Sequence, residues 1–453
     1  MEKKKRGSFT GEIGFVLAAA GSAVGLGNLW RFPYLAAQYG GGIFILVYII
    51  LALTFGFTLM TTEIAIGRKT KLSPTRAYKE VDSKFGFIGP IAFIIPVIIL
   101  PYYCVIGGWV TKYVTVFAAG QNIAAAEDSF FGNFIGREYA PLIFFIIFLG
   151  LTSLIVISGV EKGIEKVSSY LMPALIVLAV IICIYVITIP GSSAGIKYYL
   201  LPDFSKFSFK TVCAAMGQMF YSLSIAMGIL VTFGSYMKKD VSIESSTTNV
   251  EIFDTAIAIM AGLMIIPAVF AFSGGDPDTL QAGPSLMFIT IPKVFDSMGF
   301  GTFAGILFFL LVLFAAVTSS IALTESAVST VEDELKWSRK KSTVIVGFIM
   351  IILGTLSCLG YGPLSFVKII GMQFLDFFDF LTNSVMMPIA ALMTSLFVSK
   401  VVGVDRMEEE IRHGESKFRR KKIFVVMIKY LCPIFAIIIL VSSVANAFGW
   451  ISM

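Results

Sequence analysis

The sequence predicts an all-α polytopic membrane protein, and three observations predict it. Apolar residues make up 57% of the 453 and charged residues only 14%, where a soluble domain carries about 25%. The apolar residues gather into eleven stretches, each long enough to supply the ~20 residues a helix needs to cross a bilayer. The first and the sixth of these are interrupted by small and polar residues, although lipid offers no partner to backbone freed from a helix.

The spans are expected at about 10–37, 41–68, 88–120, 140–158, 164–190, 210–237, 246–273, 298–331, 341–360, 364–400 and 423–450. They form one transporter domain over 1–453: a first five-helix block at 10–190, a second at 210–400, and an eleventh helix at 423–450. Five spans per block place the two blocks in opposite topology, as an inverted repeat requires. Basic residues cluster on one side, at Lys3 to Arg6, Arg68 to Lys84, Lys238-Lys239, Lys336 to Lys341 and Lys400 to Lys422. By the positive-inside rule the N-terminus is cytoplasmic and the C-terminus extracytoplasmic. The net charge of +6 therefore reads as topology rather than nucleic-acid affinity. The charged stretch 401–422 reads as a solvated cytoplasmic connection with anionic-lipid contacts. The Gly/Pro-rich segment from Ser273 to Pro292 is long for a simple turn and reads as an outer lid.

Several classes are excluded on composition. The single histidine, His413, lies in a charged loop, which argues against a histidine metal site. Cys104, Cys183, Cys213, Cys358 and Cys432 all fall in apolar stretches and none pairs by spacing, so no structural disulfide is expected. The first span is too long for a cleaved signal and lacks a cleavage site. No phosphate-binding P-loop is present, and the chain is not expected to be an enzyme.

The interrupted spans carry the function. The first contains Gly21, Gly25 and Gly27 within Gly21-Ser22-Ala23-Val24-Gly25-Leu26-Gly27-Asn28, each glycine weakening a helix by about 1 kcal/mol relative to alanine. Close helix packing is one reading; the other is an unwound segment whose free carbonyls and amides bind ions and solute at the midplane. The sixth span is interrupted at Phe220-Tyr221-Ser222-Leu223-Ser224-Ile225-Ala226-Met227-Gly228. Paired interruptions in corresponding spans of two halves point to a transporter site.

At these residues a resemblance becomes specific. AAAGSAVGLGNLWRFPYLAAQYGGGIF resembles the first span of the neurotransmitter:sodium symporter family, whose members share the LeuT fold, and GQMFYSLSIAMG, AVTSSIAL, VEDELKWSRK and LDFFDF resemble further family stretches. The likeness runs from Arg6 to the eleventh span and fits the bacterial type that lacks a twelfth. It implies two sodium sites. One draws on Ala23, Asn28, Ser222 and Asp254; the other on carbonyls of Gly21, Val24 and Ala315 with the hydroxyls of Thr318 and Ser319. Oxygen ligands suit a hard cation. The alternative for Thr318 and Ser319 is hydrogen bonding back to their own helix.

The resemblance also implies a substrate pocket of Ser22, Ala23, Gly25, Gly27, Ile99, Tyr103, Tyr221, Ser222, Ser224, Met227, Ser319 and Leu323. Gly25 stands where monoamine-carrying relatives have an aspartate, so an α-amino acid fits better, and the apolar lining favours a hydrophobic side chain. Asp254 matches a position that often holds asparagine, and Ala258 one where chloride-independent bacterial members often carry glutamate. Chloride-dependent relatives bind the anion at positions matching Tyr48, Gln218, Ser222 and Asp254. Asp254 is therefore expected to supply the fixed negative charge, making transport chloride-independent. Arg31 with Asp379 resembles the outer gate and Arg6 with Asp333 the inner gate, with Ser235, Tyr236 and Phe9 nearby. Glu63 resembles the carboxylate that caps the broken sixth span. Gly163 and Pro173 resemble a motif that lets the fifth span unwind, though a proline kink is the simpler reading.

The expected function is sodium-coupled import of hydrophobic L-amino acids, aliphatic or aromatic, across the cell's inner membrane by alternating access. A substrate-sensing receptor with the same pocket, or a transporter of another amino-acid-like solute, is the alternative. The partners are the amino acid, sodium ions and the lipid bilayer, with no nucleic acid and with a monomer sufficient for function.

Overall fold

The computed structural model describes residues 7–274 and 283–450. Among the described residues the architecture is helical, with no strand beyond two isolated bridges. In chain order the long elements are α1 (Glu12–Ala23) and α2 (Gly27–Gln38), bent by 53° at their junction, then α3 (Gly42–Thr70), α4 (Ser83–Ala118), α5 (Ala140–Ile157) and α6 (Val160–Ile187). After these come α7 (Phe209–Ser222) and α8 (Ile229–Tyr236). The chain closes with α9 (Ile243–Ser273), α10 (Gly301–Leu335), α11 (Arg339–Leu359), α12 (Phe374–Val402) and α13 (Lys421–Ala447).

Nine of these helices are each long and apolar enough to cross a membrane, and the bent pair α1–α2 makes ten. The pair α7–α8 stands where the sequence predicts a sixth span, but its two helices are short and separated by residues 223–228. The expected boundaries shift by a few residues at most ends; the largest is α12, which begins at Phe374 rather than 364 because 360–373 is irregular.

Burial separates the elements into an inner and an outer set. Of the apolar stretches of α4 and α10, 72% is buried, against 33% for α5, α6 and α13. The outer helices present Ile143, Ile147 and Leu154, Val177, Ile181 and Ile184, and Ile434, Ile437 and Val441 to their surroundings. So large an apolar belt is tolerable only against lipid. The inner set closes around α1, α7 and α8. Close approach is bought by small residues: a Cβ on Gly67 would stand 2.0 Å from Val231 O, and one on Gly234 2.4 Å from Ile64 O, so α3 and α8 touch backbone to backbone.

The stretch 401–422 is not merely a solvated connection. Val404–Ile411 is a helix, and Arg68, fully buried at the end of α3, reaches it. Its Nε donates to Glu410 Oε1 at 2.8 Å and its Nη1 to Val241 O at 2.6 Å. Glu244 receives the backbone N–H groups of Arg419 and Arg420 at 2.8 and 2.9 Å. Buried charge demands partners, and this loop supplies them. Of the expected lid, residues 275–282 lie outside the described residues, while Leu286–Thr290 and Ile291–Asp296 are helical.

Candidate functional site

The two interruptions face each other at the centre of the inner set. In the first, Val24 takes extended backbone (ψ 97°) after α1. Asn28 then closes the break on itself: its Oδ1 accepts Gly25 N at 3.1 Å. In the second, Ser224, Ala226 and Gly228 have φ of 53°, 63° and 69°. Left-handed backbone at two residues with a Cβ is unfavourable. It persists because neighbours hold it. Glu63 Oε1 accepts Ala226 N at 2.7 Å, and Ser224 Oγ lies 2.9 Å from Ser22 Oγ and donates to Ser22 O at 3.1 Å. One hydroxyl pair thus ties break to break.

All twelve residues expected to bind substrate line one cavity between the breaks, together with Leu26, Asn28 and Ile229. Its open space is small, about 20 Å³, on the order of a water or two, so a bulky solute has to widen it. Tyr103 OH accepts Leu26 N at 3.2 Å. A Cβ on Gly25 would stand 2.7 Å from Ser319 Oγ and 2.9 Å from Tyr103 OH. A side chain here would fill the polar end of the cavity. Ile99, Met227, Ile229 and Leu323 make its apolar end. Sequence reasoning missed Leu26 and Ile229. Nothing distinguishes Ile229 from any other apolar residue until the turn at Gly228 aims it inward.

Two of the glycines have steric reasons in the packing. A Cβ on Gly27 would stand 2.4 Å from Tyr221 Cδ1, so the Tyr221 ring demands glycine there. Gly21 is still helical, and its Cβ would meet Thr318 Cβ at 3.1 Å. The close-packing reading therefore holds for Gly21, whatever its carbonyl does.

Two clusters of oxygen flank the cavity. In the first, Asp254 is fully buried. Its Oδ1 accepts Asn28 Nδ2 at 2.7 Å and Ser222 Oγ at 2.8 Å, and its Oδ2 accepts Tyr48 OH at 2.9 Å. Gln218 Nε2 donates to Gly27 O at 3.0 Å beside it. In the second, Ser319 Oγ lies 3.2 Å from Gly21 O, 3.1 Å from Ser22 O and 3.2 Å from Val24 O. Thr318 Oγ1 bonds back to Phe314 O and Ala315 O, each at 3.1 Å. The back-bonding alternative thus describes Thr318, whereas Ser319 reaches across to the broken helix. No cluster of histidine, cysteine and carboxylate suited to a transition metal occurs among the described residues.

The sequence matches the model of the sodium:neurotransmitter symporter family over residues 6–125 and 134–449. The chain belongs to this family. It is 33% identical to the uncharacterized sodium-dependent transporter YhdH of Bacillus subtilis, over 98% of this chain and 99% of that one. It is 30% identical to the uncharacterized sodium-dependent transporter MJ1319 of Methanocaldococcus jannaschii, over 98% and 91%. The fold matches the crystal structure of MhsT in complex with L-phenylalanine with a TM-score of 0.87 at 34% identity, covering 97% of this chain and 100% of that chain. The chain is a sodium-dependent symporter with several membrane-spanning helices.

The symporter's expected gates are only partly assembled. Arg31 and Asp379 do not form an ion pair. The Arg31 guanidinium lies over the Tyr221 ring at 5.9 Å, and Asp379 Oδ1 is held by Tyr102 OH at 3.2 Å and Asn383 Nδ2 at 2.5 Å. The carboxylate has found nearer donors, and neither Tyr102 nor Asn383 was singled out from sequence. Arg6 lies outside the described residues. Its expected partner Asp333 accepts Ser73 N at 2.8 Å. Above it Phe9 packs edge-on to Phe15, Phe233 and Tyr236, and Tyr236 OH donates to Glu325 Oε1 at 2.6 Å. Arg339 pairs with the buried Glu325; a glutamate inside an apolar span was the sequence signal for this pair. The Gly163–Pro173 segment is helical throughout α6, widened to an i→i+5 turn over Val160–Glu165. Gly163 is there because a Cβ would stand 2.2 Å from Ile155 O, and no unwinding is present.

Proposed function

We propose that this symporter imports hydrophobic L-amino acids, driven by sodium, through alternating access around the cavity between the two breaks. The observation that carries this reading is the division of that single cavity. Backbone amides and hydroxyls of Leu26, Tyr103 and Ser319 form one end, and Ile99, Met227, Ile229 and Leu323 the other. An α-carboxylate suits the first end and an apolar side chain the second. Support comes from the related MhsT, whose structure holds L-phenylalanine.

Sodium is the co-transported substrate, with two sites. The first is Asp254, Ser222, Asn28 and the Ala23 carbonyl, completed by the amino acid's own carboxylate. The second is the Gly21, Val24 and Ala315 carbonyls with Thr318 and Ser319. A carboxylate buried among donors is stabilised further by a cation beside it. Asp254 thereby supplies the charge for which chloride-dependent relatives use an anion, and transport proceeds without chloride. Each sodium entering down the membrane potential contributes ~2.3 kcal/mol per 100 mV. Coupling follows if the form loaded with sodium and amino acid closes inward more readily than the form with sodium alone.

On this reading the chain crosses the membrane eleven times, counting α1–α2 and α7–α8 as one broken span each, in a five-plus-five inverted repeat, with its N-terminus in the cytoplasm and a monomer as the working unit. The decisive experiment is uptake of labelled phenylalanine and leucine into proteoliposomes with and without an inward sodium gradient. Saturable, gradient-driven accumulation is expected. Binding without accumulation would make the protein a sensor, and unsaturable flux a channel.

A further inference from the structure

The outer gate holds two acceptors without a hydrogen bond among the described residues. Asp379 ends one turn of α12, and the helix widens to an i→i+5 turn over Phe380–Met386 immediately after it. Such widened turns cluster at functional sites. This one carries Asn383. Asn383 Nδ2 is spent on Asp379 Oδ1 at 2.5 Å, and Tyr102 OH donates to the same oxygen at 3.2 Å. Thr382 Oγ1, 3.4 Å from Tyr102 OH, sits at the base of the group. Both donors therefore grip one carboxylate oxygen, and Oδ2 accepts no hydrogen bond among the described residues. The amide oxygen of Asn383 is buried and has no partner among them. A buried acceptor left unmade is costly, so a group that can serve it in another state of the gate has a reason to dock there.

Arg31 is the group placed to meet them. Arg31 makes no ion pair or hydrogen bond among the described residues; its guanidinium rests over Tyr221 within electrostatic reach of Asp379. A guanidinium presents donors in a planar fork and can serve two acceptors at once, which an ammonium cannot do with the same geometry.

We infer that Asn383 is a third member of the outer gate: on closure Arg31 docks across Asp379 Oδ2 and Asn383 Oδ1, while Tyr102 and the Asn383 amide keep the carboxylate turned to receive it. Asn383 is a positioning residue, acting on Arg31 and Asp379 rather than on the solute. This rests on the transport reading only in supposing that the outer side closes. Asn383→Leu removes both the amide donor and the amide acceptor, so the closed gate loses one arm. Asn383→Gln keeps both groups, so closure is largely retained.

The test is a pair of spin labels on exposed outer positions, Ser205→Cys and Phe366→Cys, read by pulsed distance measurement in sodium with and without phenylalanine. The closed distance should lose population about fivefold or more in Asn383→Leu and be largely kept in Asn383→Gln. In an Arg31→Ala background all three residues at position 383 should give one distribution. A closed population unchanged in Asn383→Leu, an equal loss in both variants, or a loss that persists without Arg31 would overturn the assignment. If Asn383→Leu fails to fold, Asn383→Ala takes its place in the same comparison. A wild type that never responds to phenylalanine counts against the amino-acid reading, while the Arg31 comparison in sodium alone still decides on the gate.

Discussion

Replacing Gly27 by alanine tests whether the Tyr221 wall of the cavity dictates ligand binding. The added Cβ would stand 2.4 and 2.7 Å from Tyr221 Cδ1 and Cε1, against an optimum of ~3.5–4.0 Å between carbons. The ring has to move by about 1 Å. It cannot move freely, because Arg31 lies on its outer side and the cavity on its inner. Overpacking of this kind costs ~1–3 kcal/mol. Most of that cost should fall on the form that binds ligand, where the ring must close over the solute. A change of ~1–3 kcal/mol is ~5–150-fold in affinity. The assay is sodium-dependent binding of labelled phenylalanine to detergent-purified protein, with a thermal melt as control. Expected is at least a fivefold loss of affinity with a nearly unchanged melt. Full affinity would refute the steric argument, and loss of the fold would show that Gly27 serves packing alone. Tyr221→Leu in the alanine background should recover part of the affinity by vacating the contact.

Three further outcomes follow from the same geometry. Glu63→Ala strands the Ala226 N–H that Glu63 Oε1 accepts at 2.7 Å. A buried donor left without its partner costs ~1–3 kcal/mol, so phenylalanine binding should fall at least fivefold, with Glu63→Gln intermediate. Asp254→Asn turns one of the two carboxylate oxygens, which accept separately from Ser222 and Tyr48, into a donor and removes the charge. The sodium concentration giving half-maximal uptake should rise tenfold or more, measured in proteoliposomes, and an unchanged value would remove Asp254 from the sodium site. Replacing chloride by gluconate should leave wild-type uptake unaltered, whereas replacing sodium by choline should abolish it.

The local chemistry of this chain was legible in order along the sequence. Apolar stretches of ~20 residues can only be spans, and glycines and serines inside them can only mean packing or an interruption. From those two facts came the helical membrane fold and both breaks, and the symporter family then followed from the motifs around them. The residues that line the cavity were reached through that resemblance rather than through periodicity, because an apolar lining residue such as Ile99 looks like any lipid-facing isoleucine.

What the tertiary structure decided is which of several permitted roles each residue takes. Gly21 packs on Thr318 and Gly27 yields to the Tyr221 ring, although both read alike as helix-weakening glycines, and Gly163 yields to the Ile155 carbonyl. Asp379 was expected to hold Arg31 and instead holds Tyr102 and Asn383. Arg68 and Glu410, 342 residues apart, meet in a buried pair that no local pattern announces. The reason is physical. Helix, break and span are set by neighbours in the chain, within a turn or two. A hydrogen bond between helices is set by which donor reaches an acceptor first, and that depends on the packing of every span at once.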